Sequence, residues 1–142
     1  MQLGPRGIWI SLESLDLKGR IEAAQRMERL GYTALWHPMA IQRDLMVVAS
    51  QLLAETDDLV VATGIIPIFE RAPAVMAGGH RALNEQSDGR FLLGLGVSHA
   101  PIVEQMHGLE YGPPLTSMRN YLDAMDRGPD MSCLLYTSDA AD

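Results

Sequence analysis

The sequence lacks several features that mark particular classes of protein. Its 142 residues contain one cysteine, Cys133, which cannot form an internal disulfide bond and has no metal-ligand spacing around it. No run approaches the roughly 18 apolar residues of a membrane span, and the N-terminus lacks the basic and then apolar segments of a signal peptide. We therefore expect a cytoplasmic protein with no metal site and no membrane partner.

Positive charge is also scarce. The chain has 11 lysine and arginine residues against 18 aspartate and glutamate residues, a formal net charge of −7, and no segment rich in lysine or arginine. This balance argues against nucleic acid as a partner. Hydrophobic residues make up 47% and charged residues 20%, which is typical of a globular domain, and the length fits one domain.

The last ten residues differ in character from the rest. Residues 133–142, CLLYTSDAAD, resemble the conceptual translation of a transposon-end adapter used to prepare sequencing libraries. We therefore expect the natural domain to cover residues 1–132 and the final ten residues to be a non-native tail. On this interpretation the gene continues past the junction, and the chain is an N-terminal fragment that is inactive alone.

Strand and helix signals alternate along the chain. Short apolar runs bounded by turn residues predict buried strands over 7–10, 33–36, 59–66 and 90–97. Amphipathic segments between and after them predict helices over about 16–30, 44–55, 73–85 and 113–128. A longer loop is expected over 98–112. Such alternation is typical of an α/β protein with a parallel sheet.

The spacing of the strands bears on the architecture. Eight units of this size would make about 220–250 residues, the size of a (β/α)8 barrel. A doubly wound sheet is the alternative, and the spacing alone favours the barrel only mildly. The first strand is followed by Ser11, Leu12, Glu13 and Ser14 and not by a glycine-rich turn, which argues against a dinucleotide-binding fold.

Three segments carry a resemblance to a known family: LGYTALW (30–36), LVVATGI (59–65) and GRFLLGLGVSHAP (89–101). Over residues 7–127 the chain resembles the N-terminal half of the luciferase-like family. The most similar branch is the bacterial luciferase-like oxidoreductases predicted to use the deazaflavin coenzyme F420. The resemblance implies an α/β fold comprising about four βα units, the N-terminal half of a (β/α)8 TIM barrel.

The resemblance also implies a cofactor site, because chemistry in such a barrel takes place at the carboxyl ends of the strands. In several deazaflavin enzymes of the family, a non-proline cis peptide bond follows the third strand and supports a tricyclic ring. By position, that bond would join Gly64 and Ile65. Either Ile65 or Ile66 would then give the ring an apolar backing.

The end of the fourth strand is expected to bind the cofactor's tail. Gly96 would let a ring or phosphate approach the backbone, and the backbone at Val97 and the side chain of Ser98 could donate hydrogen bonds to phosphate oxygens. His99 is a further candidate contact in this loop.

The second strand departs from the family pattern. An acid or a histidine commonly stands a few residues after the tryptophan, whereas here Met39 occupies the usual acid position. His37 is therefore the candidate for proton donation, since histidine exchanges protons near neutral pH. Trp36 is expected to pack in the core, while Trp9, at the end of its strand, could form a wall for a ring.

These expectations define a function and its alternatives. The resemblance implies hydride transfer between a deazaflavin, coenzyme F420, and an organic small molecule, with the cofactor performing the redox step. The alternatives are an FMN-dependent monooxygenase of the same fold and a non-catalytic cofactor-binding module, the latter because the acid position is lost. The full-length protein is expected to be a homo-oligomer.

Overall fold

Strands and helices alternate along the described part of the chain. The computed structural model describes residues 3–39 and 41–128, so the expected non-native tail, residues 133–142, lies outside the described residues. The elements are β1 (Gly7–Trp9), α1 (Leu17–Arg29), β2 (Ala34–His37), α2 (Leu45–Ala54), β3 (Val60–Thr63), β4 (Ile66–Pro67), α3 (Pro73–Gln86), β5 (Phe91–Leu92), β6 (Leu95–Gly96) and α4 (Pro114–Arg127). This order confirms the predicted α/β class.

All observed strand pairs are parallel. β1, β2, β3 and β5 form one sheet in that order, and β4 and β6 form a separate pair. Trp9 lies opposite Trp36, and His37 lies opposite Thr63. The parallel register brings the carboxyl ends of the strands to one edge, where a site is expected.

The helices begin and end close to the predicted bounds, at residues suited to helix termini. Asp16 caps α1 and Asp44 caps α2, each accepting a hydrogen bond from a backbone N–H of the first turn. Pro73 begins α3, where its missing N–H has no helical partner to lose. Gly31, with φ at +80°, follows the end of α1 and turns the chain towards β2.

The hydrophobic core lies between the sheet and the helices. Strand residues that alternate towards the helices are buried there, together with apolar side chains from α1, α2 and α3. Its most completely buried members are Ala24, Leu35, Ala49, Leu52, Leu59, Val61, Ile66, Met76 and Phe91. Successive helices also contact one another, α1 with α2, α2 with α3 and α3 with α4.

Two strands predicted as continuous are broken. The run over 59–66 becomes β3 and β4, and the run over 90–97 becomes β5 and β6. Val61 pairs with Phe91 but Ile66 pairs with Leu95, so the first segment has one residue more than its partner between these pairs. The extra residue is a bulge, and it reverses which face the following side chains occupy.

A short π-helix, Ile102–Met106, occupies the segment that was predicted as a loop. It begins where the His99 carbonyl accepts hydrogen bonds from the N–H groups of Ile102 and Val103, both at 3.0 Å. Val103 is fully buried and fixes the segment against the rest of the fold. Among the described residues, no helix is both long and apolar enough to cross a membrane.

Candidate functional site

A cavity lies at the carboxyl ends of β2, β3 and β6. Its volume is about 400 Å³, within the usual range for small-molecule sites. The residues that line it come from the loops after these three strands and from the π-helix: Pro38, Met39, Gly64, Ile65, Ser98, His99 and Ile102. Four of the seven, Gly64, Ile65, Ser98 and His99, were predicted from the sequence as cofactor contacts.

The segment after β3 forms one wall of the cavity. The peptide bond between Gly64 and Ile65 is cis, at the position expected from the resemblance. The N–H of Gly64 donates to the carbonyl of His37 at 2.8 Å. The indole Nε1–H of Trp9 donates to the Gly64 carbonyl at 3.2 Å. Hydrogen bonds with residues of β1 and β2 therefore hold this wall in place.

The bulge after β3 removes Ile66 from the cavity, in contrast to the expectation that it could back a ring. Ile66 is 1% exposed and belongs to the core, and its N–H donates to the Gly94 carbonyl at 2.9 Å. Only Ile65 faces the cavity, because the extra residue turns Ile66 towards the helices.

Gly96 and Val97 also lie outside the cavity lining. A Cβ on Gly96 would lie 2.8 Å from Cδ1 and Cγ1 of Ile65, so this glycine makes room for the Ile65 side chain. Val97 is partly buried and packs against the core. Gly96 therefore shapes the wall formed by Ile65, and neither Gly96 nor Val97 is among the residues that line the cavity.

His37 occupies a different environment from that expected of a proton donor. Its side chain is 2% exposed, and its Nε2 accepts a hydrogen bond from the N–H of Leu12 at 3.0 Å. Its Nδ1 lies 2.7 Å from the Pro38 carbonyl, so this nitrogen carries the proton. With both nitrogens bound to backbone, His37 connects the loops after β1 and β2, and this geometry argues against proton donation to a ligand.

Ser98 and His99 supply the polar side of the cavity. Ser98 has φ at +57°, and its carbonyl accepts a hydrogen bond from the Tyr111 hydroxyl at 3.3 Å. The His99 side chain is exposed and lines the cavity. The rest of the lining is mainly apolar, with Pro38, Met39, Ile65 and Ile102. The cavity can therefore hold a molecule with an apolar part and a hydrogen-bonding part.

Sequence reasoning missed two lining residues, Pro38 and, more notably, Ile102. The segment around it was interpreted as a loop, and a π-helix has no periodic signal that would single out one side chain. Met39 was recognised only as a departure from an acid. Its position in the lining means that this part of the wall carries a thioether and not a carboxylate.

Two shifted pKa values occur near the loop after β4. Burial raises the pKa of the Glu70 carboxyl, the nearby Asp44 raises it further, and His107 and Arg71 oppose the shift. Burial also raises the pKa of the Tyr121 hydroxyl to about 12, although Arg71 opposes it. That hydroxyl donates to the Arg71 carbonyl at 2.8 Å and so fastens α4 to this loop. Neither side chain lines the cavity.

The part of the chain that the structure describes contains no cluster of side chains suited to binding a metal ion. No group of three or more histidine, cysteine, aspartate or glutamate side chains lies close enough together there to hold an ion. His99 is the only one of these residue types among the residues that line the cavity.

The fold and the cavity define a parallel βα protein with a small-molecule site at the carboxyl ends of its strands. A family model described as luciferase-like monooxygenase matches residues 3–130. The chain belongs to this luciferase-like family.

Curated relatives extend this assignment. Over 105 residues the chain is 31% identical to an uncharacterized protein of Mycobacterium tuberculosis, covering 73% of this chain and 30% of that protein. Over 103 residues it is 28% identical to 5,10-methylenetetrahydromethanopterin reductase of Methanolobus tindarius, covering 72% of this chain and 31% of the reductase. The chain therefore spans about a third of the length of these relatives.

Solved structures confirm the fold. The oxygenating constituent of 3,6-diketocamphane monooxygenase from Pseudomonas putida, in complex with FMN, superposes with a TM-score of 0.73 at 16% identity, over 86% of this chain and 39% of that one. The coenzyme F420 dependent tetrahydromethanopterin reductase of Methanopyrus kandleri gives a TM-score of 0.72 at 18% identity, over 84% and 38%. The described fold corresponds to part of a (β/α)8 barrel.

Proposed function

We propose that this chain contributes to an oxidoreductase that transfers a hydride between the deazaflavin coenzyme F420 and an organic small molecule. The observation that carries the proposal is the two-sided cavity at the carboxyl ends of the strands. Pro38, Met39 and Ile65 form an apolar side, while Ser98 and His99 form a polar side. Similarity to a family that includes a coenzyme F420 dependent reductase supports the choice of cofactor.

The residues present fit a flat ring with an anionic tail. The apolar side offers surface from which a ring would exclude water, and the Ser98 hydroxyl and the His99 ring can donate hydrogen bonds to phosphate oxygens. When bound, the deazaflavin supplies the hydride chemistry. The chain's own residues hold the ring, keep water from it and leave one face open to the substrate.

An FMN-dependent monooxygenase is the second candidate. One observation favours it: the fold superposes with a TM-score of 0.73 on a monooxygenase solved with FMN. The same polar side would then hold the FMN phosphate. The two candidates differ in the reduced cofactor that binds and in whether oxygen is consumed.

Binding by the purified chain tests the proposal. Coenzyme F420 and FMN are titrated separately, and binding is measured by ultrafiltration. We expect coenzyme F420 to bind with a micromolar dissociation constant, and Ser98→Ala to weaken its binding about tenfold, as loss of one hydrogen bond to a charged group would. Ser50→Ala, on α2 and away from the cavity, is the matched control and is expected to have no effect on binding.

The outcomes separate the two candidates. Binding of FMN without binding of coenzyme F420 would favour the monooxygenase. Binding of neither cofactor would reject a cofactor site in this chain. Equal binding of coenzyme F420 by the wild type and Ser98→Ala would remove Ser98 from the site and leave the cofactor assignment in place.

A further inference from the structure

Trp9 stands out because its side chain is exposed although its polar atom is already bonded. The residue is 65% exposed, yet its Nε1–H donates to the Gly64 carbonyl at 3.2 Å. The hydrogen bond fixes the plane of the indole and leaves much of the ring surface uncovered. A large aromatic surface held in this way is suited to contact with another flat ring.

The indole depends on the absence of a side chain at Gly64. A Cβ on Gly64 would lie 3.1 Å from Nε1 and 3.3 Å from Cδ1 of Trp9, closer than ordinary van der Waals contact. The missing Cβ lets the indole lie directly against the backbone. The two residues therefore pack closely at the carboxyl edge of the sheet, although β2 lies between the strands that carry them.

Gly64 connects this pair to the cavity. It lines the cavity together with Ile65, whereas the indole of Trp9 is not part of the lining and lies against Gly64, next to this wall. We propose that Trp9 is a ligand-binding residue that extends this wall and packs its ring against a planar conjugated ring in the site. The inference rests on the proposed function for the identity of the physiological ligand, but the contact itself requires only a planar ring.

Three probes test the contact with the purified 142-residue chain. They are coenzyme F420, FMN, and lumichrome, a tricyclic ring that has no ribityl phosphate tail. Dissociation constants are measured by ultrafiltration for the wild type, Trp9→Leu and Trp9→Phe. We expect Trp9→Leu to weaken binding of each bound probe about tenfold and Trp9→Phe, which keeps an aromatic plane but loses the donor, about threefold.

A spectroscopic signature distinguishes direct contact from a merely structural role. The Trp9 indole resonance, assigned by its loss in Trp9→Phe, is expected to shift when lumichrome is added, because a stacked ring produces a ring-current shift. Leu30→Ala is the matched control, since Leu30 is 59% exposed and lies beyond the end of α1. It is expected to leave both the binding and the indole resonance unchanged.

A second variant keeps the test decisive if Trp9→Leu unfolds. Gly64→Ala leaves Trp9 in the sequence but places a methyl group against Nε1, so it is expected to displace the indole and weaken lumichrome binding. Its folding is checked by circular dichroism. A folded Gly64→Ala chain that binds lumichrome as tightly as the wild type, with the same indole shift, would overturn the inference.

The outcomes separate this inference from the proposed function. If coenzyme F420 binds the wild type and Trp9→Leu equally, the inference fails and the proposed function stands. If lumichrome binds in a manner that depends on Trp9 while neither cofactor binds, the inference stands and the proposed function fails. If none of the three probes binds, both fail.

Discussion

Gly94 lies between β5 and β6, where the chain comes very close to Thr63 at the end of β3. Its N–H donates to the Thr63 hydroxyl at 2.8 Å, and that hydroxyl donates to the Gly94 carbonyl at 2.9 Å. A Cβ on Gly94 would overlap the carbonyl oxygen of Thr63, and backbone has little freedom to move away. The residue is therefore required by packing and not by ligand access.

We predict that Gly94→Ala destabilises the fold by about 3 kcal/mol, as forced overpacking does, measured by chemical denaturation. Gly78→Ala is the matched control, because a Cβ there meets nothing within 4 Å and α3 would gain about 1 kcal/mol from replacing a helical glycine. Similar stabilities for Gly94→Ala and the wild type would show that the Thr63 segment can shift without cost.

Glu28 makes the most extensive single side-chain contact with backbone. Its carboxylate accepts hydrogen bonds from the N–H groups of residues 57–59, at distances from 2.6 to 3.3 Å, and so joins α1 to the start of β3. Burial opposes ionisation, but these three N–H groups and the charge of Arg90 outweigh it and lower the pKa of Glu28.

We predict that Glu28→Gln destabilises the fold by about 2 kcal/mol at neutral pH, because hydrogen bonds to a charged acceptor are stronger than those to an amide. Since the folded pKa lies below the unfolded value, this contribution is complete above the unfolded pKa of about 4.3 and is lost as the pH falls through the folded pKa. Chemical denaturation measured from pH 7 to pH 3 should show the free energies of unfolding of the wild type and Glu28→Gln converging.

The control for this prediction is Glu22→Gln on the same helix. Glu22 forms only an exposed pair with Lys18, 3.7 Å apart, so its loss is expected to change stability by less than about 0.5 kcal/mol. A difference between Glu28→Gln and the wild type that stays constant down to pH 3 would contradict the assigned role of the carboxylate.

The positions of the site residues were easier to predict from the sequence than the contacts that their side chains make. Gly64, Ile65, Ser98 and His99 were located from the family pattern, and all four line the cavity. His37 was recognised as a titratable group at a strand end, but its bond to Leu12 joins residues 25 positions apart. No local pattern reports that such a partner has already occupied the ring nitrogen.

At the scale of elements, a reciprocal clamp holds the loops after β1 and β2 together. Oε1 of Glu13 accepts hydrogen bonds from the N–H groups of Ile41 and Gln42 at 2.8 and 2.7 Å. In return, Arg43 donates from Nη1 to the Glu13 carbonyl at 2.7 Å. The clamped loop also carries Met39 of the cavity wall, so the clamp positions that wall.

We predict that Glu13→Ala increases the rate of amide hydrogen exchange at Ile41 and Gln42 and weakens lumichrome binding about threefold, because the wall is no longer held. Both quantities are measured on the same purified chain. Glu85→Ala, an exposed residue on α3, is the control and is expected to change neither. Unchanged exchange at both amides in Glu13→Ala would show that other contacts hold the loop.

Helices were predicted closely and strands less so. Helix ends are set by local signals such as the Asp16 and Asp44 caps, which act within one turn and can be recognised from sequence. The breaks near Gly64 and Gly94 depend on contacts between segments about 30 residues apart, through the Thr63 hydroxyl. Continuous apolarity cannot show where such a partner interrupts a strand.

At the scale of the whole molecule, alternation of strands and helices predicted the α/β class, and the resemblance predicted a barrel. The structure bears out both, with parallel pairing throughout and superposition on about two fifths of two solved family members. Spacing could not distinguish a barrel from a doubly wound sheet, because both use the same βα unit. The curvature of the sheet and its closure into a barrel depend on the complete set of strands.

Each of the two outer strands of the described four-stranded sheet has a free edge. Within residues 3–39 and 41–128, β1 pairs only with β2, and β5 pairs only with β3. Exposed edges of parallel strands offer unpaired N–H and C=O groups to another chain. The surface next to β1 is also apolar, since Trp9 is 65% exposed and Ile10 is 36% exposed.

We predict that the 142-residue chain associates with itself, so that sedimentation velocity gives an average mass that rises above 15.6 kDa with concentration. Ile10→Lys places a charge beside the β1 edge and is expected to weaken this association, whereas Leu30→Lys, at an exposed site beyond α1, is not. A 15.6 kDa species at every concentration, melting in one cooperative transition, would contradict the prediction and show that these edges do not drive association.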